Sequence, residues 1–211
     1  MHCSLDDVRA ALELPEFDGH AAQQHMMPLA RARFRPDERE GTPRQGAVLL
    51  LLYCQDDELH LVLTRRRDDL SSHPGQVSLP GGRQDPPETL AETALRETEE
   101  EIAVPPETVR LLGRLTPLYI SPSDFEVQPF VGIYTGDGRP AFVPNPGEVA
   151  AIIEVPLDHL LDQSLRTEEL WQLRGVDVTV PFFQLDGYKV WGATAMMLSE
   201  FAERLRVALT P

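Results

Sequence analysis

The sequence predicts an α/β fold in which a mixed sheet lies between helices, and three observations carry the prediction. Residues 46–54 form a continuous apolar run; after the polar Gln55-Asp56-Asp57, residues 58–64 partly alternate, so the two stretches read as a hairpin of strands. A helical pattern runs from the Pro-rich link after Gly81-Gly82 through Arg96-Glu97-Thr98-Glu99-Glu100-Glu101. A second, amphipathic one closes the chain over 192–209, with Met197, Phe201, Leu205 and Leu209 directed inward. Mixed strands and two long helices bury their apolar sides most simply as packed layers.

The remaining elements follow in order. Residues 4–14 read as a helix, because Ser4 can cap it, Asp6 and Asp7 occupy its first turn, and Leu5, Val8 and Leu12 recur at helical spacing. A second short helix is placed at 19–33, and the charged, Pro- and Gly-containing segment 35–45 reads as a linker. Strands are expected at 111–118 and 125–134, with Ser121-Pro122-Ser123-Asp124 turning between them. A buried strand at 149–155 leads into a short helix at 157–161. Residues 176–185 read as a strand that Pro181 assigns to an edge, joined through Asp186-Gly187 to 188–191.

Composition bounds the function. A chain of 211 residues with 42% apolar and 25% charged residues is a globular domain long enough to bury a core. Its net charge of −15 repels nucleic acid and polyphosphates, so an anionic substrate has to be held by a metal and by locally placed arginines. Cys3 and Cys54 alone make no disulfide framework and fit a reducing compartment. The N-terminus lacks the order of a secretory signal, and the longest apolar run is far short of the roughly 18 residues that cross a bilayer. The expectation is a cytoplasmic protein with no membrane and no nucleic-acid partner.

The chemistry concentrates in 82–104. At about 100° per residue, Glu97, Glu100 and Glu101 fall within roughly a third of the helix circumference, with Ala91, Ala94, Leu95, Thr98 and Ile102 on another arc. Like charges at i, i+3 and i+4 repel. A hard divalent cation with oxygen ligands is the simplest remedy; a solvated acidic face is the commoner reading of such a run taken alone.

The spacing Gly82-x5-Glu88-x7-Arg96-Glu97-x-x-Glu100-Glu101 resembles the box of the Nudix hydrolases, which cleave nucleoside diphosphates linked to another moiety. Two positions depart from it: Thr98 stands where the family has an aliphatic residue, and Ala103 where it has Gly. Thr98 still offers a methyl to the packed face, while Ala103 weakens a helix stop that Pro105 and Pro106 reinforce. Upstream, Leu63, Thr64, Arg66, Gly75, Pro80, Gly81 and Gly82 resemble the signature of the family's coenzyme A pyrophosphatase branch. Val62, Arg67, Ser71 and Leu79 differ from it, and Ser71 removes a cation that would help bind phosphate. The ending Trp191-Gly192-Ala193-Thr194-Ala195 is similar to the branch as well, with Trp191 either stacking on an adenine or filling the core.

The resemblance covers about 46–209. It implies the Nudix α/β/α sandwich, a Nudix domain over 46–211 and an N-terminal helical segment and linker over 1–45. It further implies Mg²⁺ or Mn²⁺ held by Glu97, Glu100, Glu101 and the Gly82 carbonyl. Arg96 would orient the carboxylates, with Glu88 as its structural partner, and Glu100 first or Glu148 second would act as the base. Arg65, Arg66, Arg67, His73 and Gln76 are candidates for phosphate binding, each of which also reads as a solvated or structural polar residue. Strand alternation sends Arg66 to the face opposite Arg65 and Arg67.

The expected substrate is a small nucleoside diphosphate derivative: coenzyme A on the branch signature, or else ADP-ribose, a dinucleotide or a nucleotide sugar. From another class, the chain reads as a non-catalytic Nudix module that binds a nucleotide to regulate something. The N-terminal helices cover the site or make a contact within a homodimer, and the sequence leaves both open.

Overall fold

A computed structural model describes residues 3–28, 41–70, 75–121, 123–173 and 175–210. Ser71, His73 and most of the linker expected at 35–45 lie outside the described residues, as does the end of the second helix expected at 19–33.

The hairpin forms where the apolar run and the alternating stretch place it. Strand β1 (Arg44–Gln55) pairs antiparallel with β2 (Glu58–Arg66), with Gln55 opposite Glu58. The turn residues Asp56 and Asp57 both take positive φ, 52° and 64°, which a two-residue hairpin turn requires and which Asp tolerates. Beyond Leu52 and Leu61 the two strands part, and two short strands fill the wedge. Strand β3 (Val77–Ser78) pairs with the end of β2, and β4 (Gly81–Arg83) with the start of β1. Helix α3 (Leu90–Ile102) follows, the third after α1 (Leu5–Leu12) and α2 (Gly19–Gln24) near the N-terminus.

The apolar stretch expected at 111–118 divides into β5 (Val109–Arg114) and β6 (Leu118–Ile120), the break falling at Pro117. Both pair with β7 (Phe125–Tyr134), which runs parallel to β1. Strand β8 (Val149–Pro156) pairs with β2 and leads into α4 (Leu157–Leu161). Among the described residues these strands make one eight-stranded mixed sheet.

Alternation along β1 divides the core in two. Ala47, Leu49, Leu51 and Tyr53 pack with Ala94 and Ile102 of α3, whereas Leu50 and Leu52 pack with α5 (Gly192–Ala208) on the other face. Each such leucine, fully withdrawn from water, contributes on the order of 2 kcal/mol. The sheet is therefore flanked by helices on both sides, as the α/β prediction requires.

Two elements depart from expectation. Helix α5 is buried nearly all round, including Met196, Leu198, Ser199, Glu200 and Ala202, because α1 and α2 pack over the side that an amphipathic helix would show to water. The N-terminal helices thus lie on the sheet face opposite α3. A second, three-stranded sheet also forms, from β9 (Arg166–Leu173), β10 (Val176–Leu185) and β11 (Tyr188–Trp191), with β10 in the middle. Pro181 does not mark an edge strand. It lies one residue past the last β10–β11 pair, Phe182 with Trp191, where β10 has no described neighbour on that side to call for the missing N–H. No helix among the described residues is long and apolar enough to cross a membrane.

Candidate active site

The wedge between β1 and β2 builds the site. Gly81 takes φ +150° and presses against β1, where an added Cβ would come 2.3 Å from the Ala47 carbonyl oxygen. Gly82 next to it touches the helix: a Cβ there would lie 2.5 Å from the Glu97 carboxyl carbon. Only glycine lets the strand and that carboxylate meet. The Gly82 carbonyl oxygen, expected as a metal ligand, lies against Gly46 of β1, 2.8 Å from where a Cβ would stand.

Helix α3 begins with a full capping box. The Thr89 hydroxyl accepts the Glu92 N–H, and the Glu92 carboxylate accepts the Thr89 N–H at 2.7 Å. It ends at Ala103, which adopts the left-handed conformation at φ 59° although it is not glycine. Thr98 is fully buried and donates its hydroxyl to the Ala94 carbonyl at 2.7 Å, so the aliphatic position tolerates it without an unpaired polar atom.

The three glutamates are graded from solvent to core: Glu100 side chain 57% exposed, Glu97 17%, Glu101 as a residue 5%. Arg96 collects the outer two, reaching Glu97 at 2.9 Å and Glu100 at 3.2 Å, and is itself gripped by both oxygens of Glu88 at 3.0 Å. Glu88 also accepts from the Asp85 N–H and the Thr93 hydroxyl, and Arg96 with these donors holds its carboxyl down at about 2.

Glu101 is differently placed. It faces the Thr64 hydroxyl of β2 at 3.4 Å, and burial first, then the Glu97 and Glu148 charges, pushes its carboxyl up to about 8 against the attraction of Arg66. Burial also pushes Glu97 up, Arg96 opposing it and the Glu100 and Glu148 charges adding to it.

Of the arginines at the end of β2, Arg66 points toward these acids, with its Nη1 3.9 Å from Glu148 and its buried Nε without a hydrogen-bond partner. Arg65 is drawn to Asp68 at 2.5 Å, and Arg67 is clamped bidentately by Asp69 while donating to the Pro146 carbonyl. Simple alternation does not account for this, because a bulge between Arg65 and Arg66 interrupts the β2–β8 register and β2 ends at Arg66. Gln76 contributes its backbone carbonyl to the Arg66 N–H at 2.9 Å. Glu148, half exposed, arrives on the loop between β7 and β8, which is hung from the end of α3: Val143 N–H donates to the Ile102 carbonyl and Asn145 N–H to the Glu101 carbonyl.

As these side chains stand, Arg96 draws Glu97 and Glu100 toward itself, and no three His, Cys, Asp or Glu side chains among the described residues form a ready-made cation site. The donor chemistry nonetheless fits a hard divalent cation. The groups are oxygen donors only, and two of them sit in surroundings that disfavour their own charge. Asp85 was not singled out from the sequence, and the contacts of Thr64, known there only as part of the branch signature, and of Asn145, known only as part of the loop leading to Glu148, were not legible either, since each acts through a contact the fold creates.

A Gly-Gly strand apposed to a helix bearing this Glu88, Arg96, Glu97, Glu100, Glu101 set defines a class, and the comparison with family models agrees with it: the NUDIX domain model matches residues 43–174. The chain belongs to the Nudix domain family. Among curated relatives, the uncharacterized Nudix hydrolase NudL of Yersinia pestis (strain Pestoides F) is 34% identical over 203 residues, covering 94% of this chain and 92% of its own. The NudL of Yersinia pseudotuberculosis serotype O:1b matches to the same extent, 34% over 203 residues. Among solved structures, the Nudix hydrolase RenU of M. smegmatis superposes with a TM-score of 0.52 at 19% identity, covering 88% of this chain and 95% of that one. The MutT protein of Methanosarcina mazei Go1 gives 0.51 at 19%, covering 82% and 100%. At those identities the structures speak for the fold alone.

Proposed function

We propose that this protein hydrolyses the pyrophosphate bond of a nucleoside diphosphate derivative, with coenzyme A or a thioester of it as the preferred substrate. The observation that carries the reading is the graded glutamate set on α3, packed against Gly82 and faced by Arg66. The residues that would hold Mg²⁺ or Mn²⁺ are Glu97, Glu100 and Glu101, with the Gly82 carbonyl. A bound ion supplies charge compensation at the phosphate oxygens and a water of lowered pKa.

The chain's own residues do the rest. Arg66 places a cation beside the diphosphate, where a guanidinium fork suits phosphate oxygens. Arg96, fixed by Glu88, keeps Glu97 and Glu100 on one side of α3. Of the two candidates for the base, Glu100 is already paired with Arg96 at 3.2 Å, whereas Glu148 faces Arg66 across 3.9 Å, longer than a hydrogen bond. Glu148 therefore takes the proton of the attacking water as one P–O bond forms and the bridging P–O bond breaks, the leaving phosphate departing with the electron pair.

The coenzyme A preference rests on the branch spacing through Leu63, Thr64, Arg66 and Gly75, with Ser71 the position that departs. Coenzyme A, ADP-ribose and NADH, each with Mg²⁺ or Mn²⁺ and with products identified, make the decisive panel. Coenzyme A cut fastest to 3′,5′-ADP and a phosphopantetheine product supports the proposal; coenzyme A as the poorest of the three overturns the specificity. No hydrolysis of any compound, while one of them raises the melting temperature, replaces the enzyme with a nucleotide-binding module.

A further inference from the structure

We infer that Asn145 is a positioning residue that fixes Glu148 at a set offset from Glu101. The inference rests on the hydrolase reading above and adds to it the means by which the base is held.

The two acids belong to elements far apart in sequence, yet a single residue joins their main chains. Asn145 N–H donates to the Glu101 carbonyl at 2.8 Å, and the Asn145 carbonyl in turn accepts the N–H of Glu148 at 3.1 Å and of Val149 at 2.8 Å. Its side-chain Oδ1 accepts the Gly147 N–H at 2.9 Å, closing the turn that carries Glu148. Pro144 and Pro146 on either side limit the conformations that segment can take, the residue before a proline being kept extended. From the other direction, Arg67 N–H donates to the Glu148 carbonyl at 3.0 Å and its guanidinium to the Pro146 carbonyl, so the loop is held at both ends.

The consequence is geometric. A half-exposed glutamate on a loop would ordinarily sample many positions; here its Cα is referred through one residue to the last turn of α3. Losing the Asn145 side chain frees the Gly147 N–H to water, while the main-chain bonds of residue 145 to Glu101, Glu148 and Val149 can still form. The turn then loosens without unfolding the domain, and the fraction of time Glu148 spends in reach of the attacking water falls.

The test uses the full chain with coenzyme A and ADP-ribose as substrates. Asn145→Ala is expected to lower kcat at least tenfold with KM within threefold of wild type. Asn145→Asp, whose carboxylate can accept the same N–H, should recover to within threefold, and Asn145→Ser should fall between. Combined with Glu148→Gln, Asn145→Ala should cost less than a further twofold, because both act through one group. Should Asn145→Ala fail to fold, the Ser variant carries the comparison. A wild-type kcat in the Ala variant, failure of Asp to rescue, or losses that multiply in the double variant overturns the inference.

Mn²⁺ binding, measured in the absence of substrate, separates this from the hydrolase reading. If the wild type cleaves none of coenzyme A, ADP-ribose and NADH, that reading fails. The role of Asn145 then stands only if Mn²⁺ affinity drops at least threefold in both Asn145→Ala and Glu148→Gln and is retained in Asn145→Asp.

Discussion

Two buried glutamates on opposite faces of the same sheet show how differently one side chain can be used. Glu200 of α5 is fully enclosed, and its carboxylate accepts from Gln23 at 2.8 Å, from the Thr116 N–H at 3.1 Å, from the Thr116 hydroxyl at 2.9 Å and from Arg204 at 3.0 Å. Its donors come from α2, from the link between β5 and β6, and from α5 itself, so it ties the N-terminal helices to the domain. Glu101 of α3 is nearly as buried, yet has one distant hydroxyl and two neighbouring negative charges. A saturated polar network holds a fold together; an under-satisfied one among like charges is costly, and in the function proposed above it is where a cation would bind.

The comparison can be broken in four places. The largest effect is expected from Glu101→Gln, which should cut turnover of the panel's best substrate by at least about a thousandfold, equivalent to roughly 4 kcal/mol of barrier, while the protein still folds. Glu200→Gln should do the reverse, leaving kcat within twofold but lowering unfolding stability by about 3 kcal/mol, because Arg204 keeps its charge and loses its partner. Denaturant titration beside steady-state kinetics reads both. A catalytic loss in Glu200→Gln, or a stability loss in Glu101→Gln larger than in its counterpart, would show the two sites are not distinct.

A third test uses pH on metal-free protein. With the Glu101 carboxyl raised from the ordinary 4.5 to about 8, the folded chain between those values keeps a proton that the unfolded chain has released. The contribution of Glu101 is therefore full below about pH 4.5 and is lost as pH rises through that window, by roughly 3 kcal/mol near neutrality. Melting curves should show this decline, Glu101→Gln should flatten it, and added Mg²⁺ should reverse it at pH 8.

The smallest effect lies at the end of α3. Ala103 is left-handed at φ 59°, so Ala103→Gly should stabilise the protein by about 1 kcal/mol and leave turnover unchanged. A destabilised Gly variant would mean the Ala methyl contributes more by packing than it costs in strain.

Much of the fold was legible locally. Ser4 and the polar Gln55-Asp56-Asp57 announce element boundaries by chemistry that acts within a few residues, and the apolar run 46–54 marks a buried strand, whereas which of its faces meets α3 is set only by packing. Strand β9 was not legible: Arg166-Thr167-Glu168-Glu169-Leu170-Trp171 has no strand pattern of its own, and pairing with β10 imposes the extended form. The all-round burial of α5 was equally hidden, because it depends on α1 and α2 returning from the far end of the chain to cover it.

In the candidate site the same line can be drawn. The amino-acid order alone determined which acids share a helix face with Arg96 beside them, and the sequence spacing of Gly82 from them, since helical geometry propagates over short spans. Which glutamate is buried, which arginine turns inward, and what holds Glu148 beside Glu101 were decided only by the tertiary structure. Those outcomes depend on desolvation and on contacts between residues as far apart as Thr64, Glu101 and Asn145, and neither quantity exists until the sheet and α3 have packed.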